Sequence, residues 1–382
     1  MTLRVSQRAA KVSPFIVMDV MRAAYEREVQ GQNIVHLEVG QPSTGAPRGV
    51  IEAAKSALDR DRIGYVDALG IPALRERIAR HYKDAYGLAL PAERVVVTQG
   101  SSGAFLLSFL ASFEHGDRVA LAAPGYPAYR NILSALGFEP VDLLTDAGHK
   151  YQPTVELLRQ AGKVAGLIVA SPSNPTGTTV SESEMRALAY YCQVHGIRLI
   201  SDEIYHGIVF GGATATAAAC SDSAIVINSF SKYFSMTGWR LGWMVAPSDM
   251  LRAIECLAQN LFISAPALSQ LAAIAAFDCQ EELNGHVRRY RENRDLLLAE
   301  LPKAGLDRLT VPDGAFYLYA DVSHLSNDSR DFCRRMLVEA GVAATPGLDF
   351  DRQRGHGTLR LSFAGATAEM AEAARRLQAW KR

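Results

Sequence analysis

Ser229-Phe230-Ser231-Lys232, followed by Met236-Thr237-Gly238-Trp239-Arg240-Leu241-Gly242, holds the residue types best suited to chemistry in this chain. The segment follows a short apolar run, Ala224 to Asn228, that reads as a buried strand. A lysine where a buried strand opens into a loop is badly placed for solvation. Its amine could instead form a Schiff base with a carbonyl. The Ser229 and Ser231 hydroxyls and the Arg240 guanidinium suit an anion beside it, most simply a phosphate. Taken alone, Lys232 also reads as an ordinary loop lysine near a surface arginine.

Those residues need a frame, and the spacing supplies one. From Arg94 onward, short β-branched runs alternate with helical stretches, as βα units of a mostly parallel sheet do. The runs are Arg94–Thr98, Arg118–Ala122, Gly166–Ala170, Ile197–Ser201 and Ala224–Asn228, with Arg240–Val245 as a further strand. Before them, helices are expected over 14–30, Pro47–Arg60 and Ile71–Tyr86, and a strand at His36–Val39 running into Gly40-Gln41-Pro42. Beyond residue 250, long helices are expected from Asp249 towards Phe277 and from Glu281 towards Leu301. Strands follow at Gly314–Asp321 and Thr358–Phe363, around an Asp331–Ala340 helix. The expected organisation is an N-terminal segment (1–45) packing on a small C-terminal α+β domain (286–382), beside a large α/β domain (46–285).

In open parallel sheets, ligands sit at the carboxyl ends of the strands. After the first run, Ser101 and Ser102 stand at a helix N-terminus, which reads as a phosphate cradle or as a plain N-cap. After the second, Tyr126 in Pro124-Gly125-Tyr126-Pro127 could stack on a flat ligand or simply cover core. After the third, Asn174 offers an amide from a Pro-stiffened loop, or marks a turn. The fourth ends in Asp202-Glu203-Ile204-Tyr205, and a carboxylate at that depth needs a cation to face. Together these ends describe one ligand: a flat heteroaromatic aldehyde with a phosphate, a hydroxyl and a basic ring nitrogen. Pyridoxal 5′-phosphate is that molecule.

The chain resembles the fold-type I pyridoxal-phosphate aminotransferases of class I/II over nearly its whole length. The resemblance rests on Ser171-Pro-Ser-Asn-Pro-Thr-Gly177, Asp202-Glu-Ile-Tyr205, Ser229-Phe-Ser-Lys232, Met236-Thr-Gly-Trp-Arg-Leu-Gly242 and Leu359-Arg-Leu-Ser-Phe363, in that order. It implies Lys232 as Schiff-base lysine and proton shuttle, and Asp202 on the ring nitrogen. It further implies Asn174 and Tyr205 on the ring hydroxyl, Tyr126 on the ring face, and Ser101, Ser102, Ser229 and Arg240 on the phosphate. Arg360, with Asn174 and the Gly40 backbone, matches the grip on the substrate α-carboxylate. Tyr65 matches a tyrosine reaching the neighbouring subunit's phosphate, which implies a homodimer with shared sites. The implied activity moves an amino group between an L-amino acid and a 2-oxo acid by ping-pong kinetics. A C–S β-lyase on the same fold and a non-catalytic binding protein are the alternatives. Gln41 stands where many relatives have Glu.

Donor choice can also be read. An aspartate-using branch of the family has a lysine at the place of Ser102, whereas Gln99–Ala104 contains no basic residue, and Pro14, Phe15 and Ile16 are apolar. Neutral aliphatic or aromatic donors are therefore expected, with Ile16 at the substrate end. Arg22 and Arg62 are possible cations from a partner subunit, and glutamate with 2-oxoglutarate stays open as the second pair.

The bulk numbers agree with such an enzyme. The 382 residues are 48% hydrophobic and 21% charged, ample for a large core. Forty basic residues balance 40 acidic ones, so nothing favours nucleic acid or an anionic membrane. The five scattered cysteines lack a Cys-x-x-Cys pair, which argues against disulfides and structural zinc and for a reducing, cytoplasmic setting. Residues 1–12 carry Arg4, Arg8 and Lys11 but no apolar core of a secretory signal. No Gly-x-Gly-x-x-Gly or Walker-type motif is present.

Overall fold

The computed structural model describes residues 5–10 and 12–381; Arg4 and Lys11 lie outside the described residues. In chain order the strands are β1 (Val35–His36), β2 (Val95–Thr98), β3 (Arg118–Ala123), β4 (Glu139–Leu144), β5 (Gly166–Ala170), β6 (Arg198–Asp202), β7 (Ile225–Ser229) and β8 (Gly242–Val245). They continue with β9 (Arg308–Thr310), β10 (Tyr317–Asp321), β11 (Val342–Ala343), β12 (Thr345–Pro346) and β13 (Thr358–Ser362). Seven of them form the central sheet in the order β2-β8-β7-β6-β5-β3-β4. Only β8 runs against its neighbours, β2 and β7. Helices cover both faces, and the strands are buried on both sides, as in β2 and β7, where every residue is buried.

The alternating pattern places β2, β3, β5, β6 and β7 within a residue or two of the expected runs, because buried parallel strands read as continuous apolar stretches. The sequence reading missed β4. It is the edge strand, with Pro140 and Asp142 inside it, and an edge tolerates both. The helices expected from Asp249 towards Phe277 are Leu251–Leu261 and Ala267–Ala273, parted before Pro266. Pro266 lacks an N–H and disfavours helix in the residue before it. Strand β1 is shorter than expected, two residues paired parallel to β11.

A second, antiparallel sheet has the order β12-β13-β10-β9. Its register sets Arg360 of β13 opposite Tyr319 on one side and Thr345 on the other. The helix Gln280–Glu300 runs unbroken across residue 285. The N-terminal stretch returns to this second sheet: the Ser362 N–H donates to the Leu37 carbonyl at 2.6 Å.

Candidate active site

Four adjacent strands, β7, β6, β5 and β3, end at one cleft, and the β2 loop joins it across β8. The cleft is about 230 Å³, with Lys232, Asp202, Asn174, Tyr126 and Arg360 among its lining residues. Lys232 donates from Nζ to the Gly40 carbonyl at 2.7 Å and stands 5.7 Å from the Tyr205 ring centre and 5.9 Å from that of Phe316. Burial, then the nearby Arg360 and Arg240 charges, lower its amine to about 8 against the pull of Asp202. Gly40 can lie this deep because it has no side chain: a Cβ there would come within 1.9 Å of the Tyr317 hydroxyl.

Asp202 is buried at the end of β6, and burial pushes its carboxyl up to about 6 despite opposing hydrogen bonds. Ile204 N–H donates to Oδ1 at 3.1 Å and the Tyr129 hydroxyl donates to Oδ2. Tyr129 was not singled out in the sequence; its place one helical turn after Tyr126 was the available signal. Tyr205, three residues after Asp202, lines the same cleft, but its hydroxyl bonds Tyr317 at 2.7 Å rather than Asp202.

Arg360 is 3% exposed. Its Nη1 donates to Asn174 Oδ1 at 2.9 Å, and Nη2 donates to the Glu38 carbonyl and, at 3.3 Å, to Thr345 Oγ1. These acceptors are neutral, and Nε has no partner. The guanidinium lies 4.5 Å from the Tyr317 ring centre and 4.9 Å from that of Phe350. A buried cation with a free N–H and no ion-pair partner among the described residues is suited to a ligand carboxylate.

At the other end, Ser101 and Ser102 begin the Gly100–Ser112 helix, and Arg240 lies against them. Gly100 has φ +66, and a Cβ there would come within 2.6 Å of Arg240 Nη2. A helix N-terminus, a guanidinium and the hydroxyls of Ser101, Ser102, Ser231 and Thr237 thus converge without a carboxylate among them, a donor set that fits a phosphate dianion. Ser229 is not among the cleft-lining residues. Its Oγ accepts the Ser231 N–H at 3.0 Å, so it supports the cradle from beneath; Ser231, whose hydroxyl the sequence offered for the phosphate, lines the cleft with Thr237, which was not assigned there. Ile16 is likewise absent from the lining: helical phase turns Phe15, Val17, Met18 and Met21 to the cleft instead. Tyr65 is 84% exposed and lies outside this cleft. A broader hollow of about 650 Å³, lined by Gln41, Thr44, Thr237 and Arg240, opens beside the cradle.

The sequence profile of the family described as Aminotransferase class I and II matches residues 32–377. The chain belongs to that family. It is 50% identical to the valine–pyruvate aminotransferase of Mycobacterium tuberculosis over 100% of this chain and 99% of the relative. A crystal structure of an aminotransferase from the same organism superposes with a TM-score of 0.97 at 49% identity, covering 99% of both chains. The aspartate aminotransferase of Thermus thermophilus with maleate gives 0.92 at 31%, covering 99% of this chain and 100% of that one. The protein is thus a fold-type I aminotransferase that uses pyridoxal phosphate and exchanges amino groups between amino acids and 2-oxo acids, which favours transamination over the lyase outcome.

Proposed function

We propose that this aminotransferase takes a neutral L-amino acid, aliphatic or aromatic, as donor. The observation that carries this is the cleft wall: Phe15, Val17, Met18, Met21 and Ile132 are apolar. The cations lining the cleft are Lys232, Arg240 and Arg360, placed at the amine, cradle and carboxylate positions. A distal carboxylate on the donor would meet no cation on that wall among the described residues, and leaving it buried and unpaired costs several kcal/mol. The name of the M. tuberculosis relative supports the same reading.

Bound pyridoxal phosphate supplies an electron sink that makes the donor Cα–H acidic. Arg360 grips the donor α-carboxylate, with Nε free to complete the fork and Asn174 bracing Nη1. Asp202 presents its carboxylate to the ring nitrogen, and Asn174 and Tyr205 serve the ring hydroxyl. Tyr126 covers the ring face. Ser101, Ser102 and Arg240 hold the phosphate, with Ser231 and Thr237 beside them and Ser229 beneath. Lys232, whose amine burial lowers to about 8, would serve as the base for the donor Cα proton. One site serves both half-reactions, so the kinetics are ping-pong.

The protein is further read as a homodimer. The exposed Tyr65 does not line its own cleft, and the hollow beside the cradle is open to a second copy's tyrosine. Native mass or scattering that found an active monomer would rule this out. Five free cysteines support a cytoplasmic setting, and no helix among the described residues is long and apolar enough to cross a membrane. The division into an N-terminal segment to residue 45, a large domain (46–285) and a small one (286–382) is part of this reading, with Gln280–Glu300 common to the last two.

Single-turnover rates of the pyridoxal form with valine, alanine, phenylalanine and aspartate at equal concentration test the donor reading. The neutral donors should react faster. Aspartate ahead by about tenfold, ~1.4 kcal/mol in the barrier, overturns it.

A further inference from the structure

We propose that Asp349 is a positioning residue that sets donor specificity by anchoring the N-terminal helix as one wall of the cleft; this rests on the neutral-donor reading above. The Ile16–Val29 helix starts without a cap of its own, since Phe15 at the N-cap has no side-chain acceptor. Its first donors are satisfied from the far end of the chain. Ile16 N–H donates to Asp349 Oδ1 at 2.9 Å and Val17 N–H to Asp349 Oδ2 at 3.3 Å. Asp349 is 5% exposed, with its carboxylate at the positive end of the helix.

Farther along, the helix is held by Ala24 packed with Leu337 and Ala343, by Val20 and Ala23 against them, and by Glu28 on His36. In its first turn only Val17 is buried, so the end nearest the cleft depends on Asp349. Just before it, Ser13 takes bonds from Arg352 Nη2 at 2.8 Å and from Asn131 Nδ2 at 3.3 Å. Yet this helix and its N-cap bring Phe15, Val17, Met18 and Met21 to the substrate, with Phe15 edge-on to Tyr126 at 5.8 Å. The turn that carries Asp349 also carries Phe350, which packs on the Arg360 guanidinium and accepts the Gly125 N–H at 3.1 Å. One short turn therefore relates the apolar wall, the α-carboxylate grip and the loop bearing Tyr126. Removing the Asp349 carboxylate frees the wall while leaving the hydrogen bonds of Arg360 and Lys232 in place. The loss should fall on donors whose side chains reach the wall.

The test is steady-state kinetics of wild type, Asp349→Ala, Asp349→Asn and Arg352→Ala, with valine and alanine as donors at saturating 2-oxo acid. Asp349→Ala should raise KM for valine about five- to tenfold, the scale of a lost helix cap, with kcat little changed and KM for alanine within about twofold. Asp349→Asn, which keeps an acceptor oxygen, should recover most of the effect. Arg352→Ala, loosening the second tie, should move the valine-to-alanine KM ratio in the same direction and keeps the test open should Asp349→Ala not fold. Equal losses on both donors, a fall in kcat at constant KM, an Asn variant as poor as Ala, or an unmoved ratio in Arg352→Ala each overturns the proposal. A wild type that prefers aspartate overturns the donor reading instead; a wild type that prefers valine while the variants leave the ratio unmoved overturns only the anchor.

Discussion

Tyr129 donates its phenolic hydrogen to Oδ2 of Asp202, 73 residues further along the chain. Burial is the larger influence on that carboxyl and pushes it up to about 6; the Tyr129 bond opposes it. Tyr129→Phe should therefore raise the carboxyl further and shift the acid limb of the first half-reaction to higher pH. A hydrogen bond to a charged group contributes roughly 1.5–3 kcal/mol, about one to two pH units, so the rate at pH 7 should fall by about two- to fifteenfold. Stopped-flow rates against pH check this. An unshifted acid limb would show that another group holds Asp202 ionised.

Lys232 differs from a surface lysine by its titration. With the amine lowered to about 8 by burial first and Arg360 next, its neutral, nucleophilic form grows as pH rises through 8. Covalent uptake of cofactor by the apoenzyme, fixed with borohydride, should rise with a midpoint near 8. Lys232→Ala should show no fixed adduct at any pH. Arg360→Leu, which removes the nearest cation, should raise the Lys232 midpoint.

The grip of Arg360 should not survive replacement by lysine. An ammonium cannot span Asn174 and a carboxylate as a planar fork or lie flat between Tyr317 and Phe350. Breaking a buried, hydrogen-bonded charge pair costs roughly 2–5 kcal/mol, so kcat/KM for any α-amino acid should fall by at least about thirtyfold. Donor preference should stay as it is, since the side-chain wall is untouched. Loss confined to one donor would argue that Arg360 reads the side chain instead.

His36 links the helix and strand that flank the site. Its Nδ1 lies 2.7 Å from Glu38 and its Nε2 3.1 Å from Glu28, and the Glu38 bond leads in raising it to about 9. A histidine raised in the folded state contributes stability that is fully present below its unfolded value near 6.5 and is lost as pH climbs through 9. Thermal unfolding should therefore show a decline in stability between those limits that His36→Gln flattens. The imidazole is partly exposed, so salt should weaken the effect. A wild-type profile unchanged by the substitution would dismiss the link.

Lys232, Asp202, Asn174 and Arg240 were legible in the sequence because strand ends announce themselves locally. An apolar run stops, and the next few residues occupy the mouth of the sheet. The βα alternation and the mostly parallel sheet followed from the same short-range pattern. What lay beyond reach depended on contacts between distant parts of the chain. Tyr129 sits where the following helix turns it beneath Tyr126, and only the docking of β3 beside β5, with β6 next, brings Asp202 to its hydroxyl. Periodicity identified an amphipathic N-terminal helix, but not its rotation, so Ile16 was named beside Phe15, whereas Phe15 lines the cleft with Val17, Met18 and Met21. Its first donors are taken by Asp349, 333 positions from Ile16, and its apolar side packs on Leu337 and Ala343; no local pattern carries either contact. Composition and spacing determine which side chains are available to meet; which of them do meet is decided by packing and register, where burial selects among partners that the sequence leaves equivalent.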